Sequence, residues 1–170
     1  VRPGIPEFMR DEVVPAADVI TPNQFELSFL AGTETNTLEA VVAAAETVRA
    51  TGPETVLVTS VITDETPEDS LDMVAVSGEG AFVVRTPRLP INPPGAGDLT
   101  SAVFLANLLG GHDLPTALAR TTSSVFAVME ATAEAGTKEM RIIASQDALA
   151  TPASQFEVSR WDGTSQGRDS

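Results

Sequence analysis

Apolar and polar positions follow two rhythms along this chain, and they predict strands alternating with helices. Asp18-Val19-Ile20 reads as a short strand ended by Thr21-Pro22, and Asn23 to Ala31 then reads as a helix closed by Gly32. Leu38, Val41, Val42, Ala45 and Val48 share one face of a second helix; Asn36 with Glu39 three residues on predicts its capped start, and Gly52-Pro53 its stop. Thr55 to Thr59 is rich in β-branched residues and too short for a helix, which predicts a buried strand. Ser60 to Ser70 is polar and reads as a mobile loop, whereas Asp72 to Ser77 and Ala81 to Thr86 flank Gly78-Glu79 as the arms of a hairpin. Asp98 to Leu109 and Pro115 to Ala135 are the last long helices, parted by Gly110-Gly111. The chain turns polar from Thr151. Strand followed by helix predicts an α/β layered domain with a mainly parallel sheet and one antiparallel hairpin.

Composition narrows what such a domain serves. At 170 residues the chain fits one domain with a real core. Its 24 acidic and 10 basic residues give a formal charge of -14, and the basic residues do not cluster, so nucleic acid and anionic membrane surfaces are poor partners. With no cysteine there is no disulfide and no thiolate metal site. No apolar run approaches a membrane span and Val1 to Arg10 has no signal-peptide core, so a cytoplasmic location is expected.

Two short stretches carry candidate chemistry. In Asn92-Pro93-Pro94-Gly95-Ala96-Gly97-Asp98-Leu99-Thr100-Ser101 a carboxylate stands behind a two-glycine turn that opens an apolar helix. Glycines let backbone approach an anion, the first amides of a helix point at it, and Asp98 stands where it can take a proton from an attacking hydroxyl. The same turn also reads as a loop with a capping carboxylate. In Thr21-Pro22-Asn23-Gln24-Phe25-Glu26, Asn23 and Glu26 have capping-box spacing, and the alternative is that Glu26 orders a magnesium ion through water. The single histidine, His112, lies in the glycine turn and reads as an exposed loop residue; Trp161 sits in the polar C-terminal stretch. Val125, Phe126, Val128 and Met129 read as core or dimer scaffold.

Gly95-Ala96-Gly97-Asp98 together with Asn23-x-x-Glu26 resembles the ribokinase-like superfamily. With Val56-Leu57-Val58-Thr59-Ser60 and Leu99-Thr100-Ser101-Ala102 added, the chain from about Val1 to Phe156 is similar to the pyridoxal kinases. Sugar kinases of the superfamily follow the glycine turn with different residues, and hydroxymethylpyrimidine kinases typically carry cysteine where this chain has Asp98. The resemblance implies a three-layer αβα kinase domain over residues 1–156, here only its C-terminal part, with 157–170 as a polar, disordered tail. It further implies that Asp98 is the general base acting on the 5′-hydroxymethyl group of pyridoxal, and that the amides of Gly95, Ala96 and Gly97 receive the transferring phosphoryl group. Thr21, Glu26, Thr59, Ser60, Thr86, Pro87, Arg88 and Leu89 would lie on the ATP side, with Glu26 near magnesium. Many relatives have a basic residue where Thr59 stands, and the link from Leu89 to Gly95 is shorter than in some.

The cofactors implied are ATP and Mg2+, with a monovalent cation as a further candidate, and the full-length protein is expected to be a homodimer. The strands, pyridoxal-recognising residues and lid of the family's N-terminal half are not in these residues. Two alternatives therefore stand beside pyridoxal phosphorylation: a non-catalytic nucleotide-binding fragment, and a kinase for another small alcohol such as hydroxymethylpyrimidine.

Overall fold

The computed structural model describes residues 4–153 and 155–163. Helix α1 (Ile5–Phe8) and two short irregular turns lead to strand β1 (Val19–Ile20), helix α2 (Gln24–Ala31) and helix α3 (Leu38–Arg49). Strands β2 (Thr55–Val61), β3 (Ser70–Ser77) and β4 (Gly80–Pro87) follow, then helices α4 (Ala96–Leu109), α5 (Leu114–Glu134) and α6 (Gln146–Ala150), and strand β5 (Val158–Trp161). The five strands form one sheet in the order β1-β2-β3-β4-β5.

Period-two alternation along the strands builds three layers. Val56, Val58, Val74 and Val76 face α2 and α3, where they pack with Leu27, Val41, Ala45 and Val48. Leu57, Ala75, Phe82 and Val84 face the other way, onto Phe104 of α4 and Leu114, Ala117 and Leu118 of α5. The αβα expectation holds, but the sheet is mixed rather than mainly parallel. Only β1 and β2 pair in parallel, while β2–β3, β3–β4 and β4–β5 are antiparallel. The reason is connection length: the turn at Gly78-Glu79 is too short for anything but an antiparallel return, as is the compact link from Ile62 to Asp69.

Several local expectations shift. The cap of α3 is Thr37, not Asn36; its hydroxyl accepts from the Ala40 amide at 3.1 Å. The segment expected to be a mobile loop from Ser60 contributes the end of β2, and its remainder is fastened to a buried carboxylate. Asp72, 1% exposed, accepts from Arg85 Nε at 2.7 Å, from a second Arg85 nitrogen at 2.8 Å and from the Thr66 hydroxyl at 2.9 Å. Thr66 in turn accepts from the Thr63 amide at 3.0 Å. The hydrogen bond it donates to Asp72 raises the Arg85 pKa above its ordinary value. Residues 158–161 do not belong to a disordered tail: Trp161 pairs with Ala81, and Val158 with Val84. Residues 164–170 of the expected tail lie outside the described residues. Among the described residues no helix is long and apolar enough to cross a membrane.

Asp72→Asn removes the charge that holds Arg85 and Thr66 together. Because Arg85 is partly solvated, the expected loss is about 1–3 kcal/mol of stability, read as a lower urea midpoint at unchanged slope.

Candidate active site

Parallel pairing brings the ends of β1 and β2 to one point. The Thr59 amide donates to the Pro22 carbonyl at 2.9 Å, and Asn23 and Thr59 form an isolated parallel bridge beyond the strands. Asn23 then turns the chain into α2 through a complete capping box. Its side chain accepts from the Glu26 amide at 2.9 Å, and Glu26 Oε2 accepts from the Asn23 amide at 2.9 Å. Next to Thr59 the β2 strand carries a bulge: Val58 opposes Val74 but Val61 opposes Asp72, so one extra residue is accommodated. Ser60 supplies it at φ 55°, the only non-glycine residue in the left-handed region among those described. Such a conformation costs about 1–3 kcal/mol and collects at functional sites.

Helix α4 starts against these strand ends. Gly95 is its N-cap at φ 88°, and no side chain caps the first amides. Thr100 Oγ1 donates to the Ala96 carbonyl at 2.8 Å and Ser101 Oγ to the Gly97 carbonyl at 2.9 Å. Thr21 Oγ1 and Ser101 Oγ are 2.7 Å apart, tying β1 to the first turn of α4. A Cβ added to Gly97 would meet nothing within 4 Å, so space is open in front of this turn. An uncapped helix start facing open space is an anion-binding arrangement.

That space continues into a cleft of about 320 Å³. Thr59, Ser60, Thr86, Pro87, Arg88 and Leu89 line it together with Ala96 and Gly97, so most of the predicted nucleotide-side residues converge. Arg88 is positioned by its amide, which donates to the Asp69 carbonyl at 2.7 Å. Asp98 follows Gly97 directly and is exposed. Thr21, Glu26, Gly95 and Asp98 are not among the residues that line the cleft: Thr21 stands on Ser101 of α4, Glu26 stands at the start of α2, and Gly95 and Asp98 flank the cleft-lining Ala96 and Gly97. Among the described residues no three His, Asp or Glu side chains converge to hold a metal. Magnesium commonly binds through one or two carboxylates plus substrate phosphates, and Glu26, with Oε2 engaged in the cap and Oε1 making no hydrogen bond among the described residues, fits that modest role.

The cleft also uses residues that the sequence pattern assigned elsewhere. Leu71 and Met73 of β3, and Thr122, Val125, Phe126 and Met129 of α5, form its apolar wall. Val125, Phe126 and Met129 read as core or dimer scaffold from the sequence; Val125 is buried as such, and half-burial is what distinguishes Phe126 and Met129. A helical apolar stripe does not say whether it faces a layer or a cavity. His112 is exposed in its turn, as expected.

A three-layer α/β fold of ribokinase-like architecture, with a helix start that no side chain caps beside a partly apolar cleft and a carboxylate directly after it, is suited to holding a phosphate-bearing small molecule. The phosphomethylpyrimidine kinase family model matches residues 1–142, and the chain belongs to that family. Among curated relatives it is 52% identical over 161 residues to the pyridoxal kinase PdxY of Rubrobacter xylanophilus, covering 94% of this chain and 56% of that one. It is 49% identical over 160 residues to PdxY of Leifsonia xyli, again covering 94% and 56%. Among solved structures, the pyridoxal kinase of Leishmania donovani in complex with ADP superposes with a TM-score of 0.81 at 25% identity, covering 92% of this chain and 55% of that one. The pyridoxal kinase of Trypanosoma brucei gives a TM-score of 0.80 at 26% identity, covering 92% and 56%. The chain thus spans about half the length of the curated relatives it matches.

The two glycines of the turn separate by substitution. At φ 88°, Gly95→Ala is expected to lower stability by about 1–2 kcal/mol, with the new Cβ 3.1 Å from the yielding Met140 methyl. Gly97→Ala, in open helical space, should leave stability unchanged or raise it by up to about 1 kcal/mol while weakening ATP binding, as denaturation and calorimetric titration would read.

Proposed function

We propose that this chain is the nucleotide-binding and base-bearing part of a pyridoxal kinase, which transfers the γ-phosphoryl group of ATP to the 5′-hydroxymethyl oxygen of pyridoxal. The observation that carries this reading is Asp98, placed directly after the cleft-lining Gly97 at the uncapped start of α4. Asp98 takes the hydroxyl proton as that oxygen bonds to the γ-phosphorus, the bond from phosphorus to the ADP oxygen breaks, and ADP leaves. The amides of Gly95, Ala96 and Gly97 receive the equatorial phosphoryl oxygens, which is the positioning and charge stabilisation that phosphoryl transfer asks of a protein. Thr59 and Ser60 hydrogen-bond the phosphates, and Thr86 to Leu89 with the apolar wall of β3 and α5 hold the adenine side. Magnesium, held by the phosphates and through water by Glu26, offsets the charge of the triphosphate. Identity near 50% to pyridoxal kinases and the resemblance to one bound to ADP support this substrate pair.

The alcohol side of the site is open. Asp98, Ala102, Leu105 and Leu109 recur at helical spacing along one exposed face of α4, and β1 is a sheet edge among the described residues although Val19 and Ile20 each pack into one of the two cores. An apolar stripe headed by the base and lying beside a strand edge favours a longer protein whose remaining part covers this face and supplies the pyridoxal pocket. The whole protein on this reading is a cytoplasmic homodimer using ATP and Mg2+, with a monovalent cation as a further ligand. The same open face favours a second reading for the chain alone: nucleotide binding without an alcohol pocket.

Thermal melting separates the two. Stabilisation by ATP with magnesium but not by pyridoxal identifies the isolated chain as a nucleotide-binding part, and stabilisation by each separately identifies a complete site. In the full reading frame, Asp98→Asn is expected to lower pyridoxal turnover by about 10²–10⁴-fold with ATP affinity retained; unchanged turnover rules Asp98 out as the base. Glutamine serves a capping box as well as glutamate does. Glu26→Gln should therefore leave the melting temperature in place and raise the magnesium concentration needed for half-maximal activity, and an unaltered titration returns Glu26 to a capping role alone.

A further inference from the structure

Two hydroxyl groups bond the carbonyls of the α4 turn and a third bonds one of those hydroxyls, and donor counting fixes the direction of each bond. The Gly97 carbonyl only accepts, so the single Ser101 hydroxyl proton goes to it, at 2.9 Å. The 2.7 Å contact between Thr21 and Ser101 must then be donated by Thr21. The result is a directed chain from the Thr21 hydroxyl to the Ser101 hydroxyl to the Gly97 carbonyl. Thr100 makes the parallel bond to the Ala96 carbonyl at 2.8 Å.

Each of these carbonyls shares a peptide unit with an amide at the uncapped helix start: Ala96 with the Gly97 N–H, and Gly97 with the Asp98 N–H. A carbonyl that accepts a further hydrogen bond polarises its peptide unit, and the N–H on the other side becomes a stronger donor. We infer that Thr21, through Ser101, is a positioning residue that strengthens and aims the Asp98 N–H, which adds a further anion-binding amide beside those of Gly95, Ala96 and Gly97, rather than a group that touches the nucleotide. What separates it from a nucleotide contact is that its hydroxyl proton is committed to Ser101. Because the relay ends on the peptide unit whose far side is Asp98, the end of β1 also sets where that residue stands relative to the anion.

This inference rests on the α4 turn being the phosphate site, but not on pyridoxal being the alcohol. Its test is the affinity of the chain for inorganic triphosphate with magnesium, measured by calorimetry for the parent, Thr21→Val and Thr21→Ser. Valine keeps the volume and removes the donor; serine keeps the donor and removes a methyl. The expectation is a loss of roughly threefold to tenfold in triphosphate affinity for Thr21→Val, the scale of one hydrogen bond, and near-parent affinity for Thr21→Ser. An upfield move of the Asp98 amide proton resonance in unliganded Thr21→Val is expected alongside it. Equal affinities for parent and Thr21→Val, or a loss in Thr21→Ser that matches the loss in Thr21→Val, would overturn the relay and leave Thr21 a packing residue. A parent chain that binds no triphosphate overturns the phosphate site and the relay together. Triphosphate binding that follows the relay pattern, in a protein whose full reading frame does not phosphorylate pyridoxal, retires the pyridoxal assignment and keeps the relay.

Discussion

The parallel pairing of β1 with β2 is the constraint on which the rest of the structure depends. It is only two residues long as a ladder, yet the Thr59 to Pro22 hydrogen bond and the Asn23 bridge extend it past the strand ends. Parallel strands finish at the same edge of the sheet, so Thr21, Thr59 and Ser60 are delivered to one place. Helices entered or begun there aim their positive ends at the same space, which is why ligands of open α/β sheets collect at the carboxyl ends of strands. Every other pairing in the sheet is antiparallel and serves as a frame for that junction.

Electrostatics sets the terms on which this junction can hold a phosphate. The chain carries a formal charge of -14, and among the described residues that line the cleft only Arg88 is charged. A triphosphate therefore meets repulsion at long range, which salt screens beyond about 8 Å, and must be held by short-range donors. On the proposed reading the uncapped amides at α4 and the hydroxyls of Thr59 and Ser60 are such donors, and a divalent cation would offset the remaining phosphate charge. The directed hydroxyl bonds to the Ala96 and Gly97 carbonyls fit this economy, since they sharpen neutral donors without adding charge.

Two strained positions border the same space, Ser60 at φ 55° and Gly95 at φ 88°. Glycine makes the second inexpensive, while the first is imposed by the bulge that lets β2 pass from pairing at Val58 to pairing at Val61. Neighbouring ties hold the bulge in place. Gln24 on α2 accepts from the Ile62 amide at 2.9 Å and donates to the Ile62 carbonyl at 3.0 Å, acting as a short piece of partner strand. Asp72 fastens the link that follows through Thr66. The open side of Asp98, by contrast, has an apolar helix face and a strand edge with nothing against them among the described residues.

Features whose physics is local were legible in the sequence. The Asn23–Glu26 capping box, the Gly32 stop, the Gly78-Glu79 turn and the Gly95 helix start each depend on hydrogen bonds or dihedral angles within a few residues. The motifs around Thr21, Thr59 and Gly95 also pointed to a ribokinase-like phosphotransferase, because their residue types and order carry that chemistry. Only tertiary structure decided the rest. Strand β5 has no apolar alternation of its own and exists because β4 offers it an edge. Phe126 and Met129 became a cleft wall through where α5 lies in the layer, which periodicity does not state. Thr21 faces Ser101 across 80 residues, a distance over which no local pattern speaks; chain packing alone brings the two hydroxyls together.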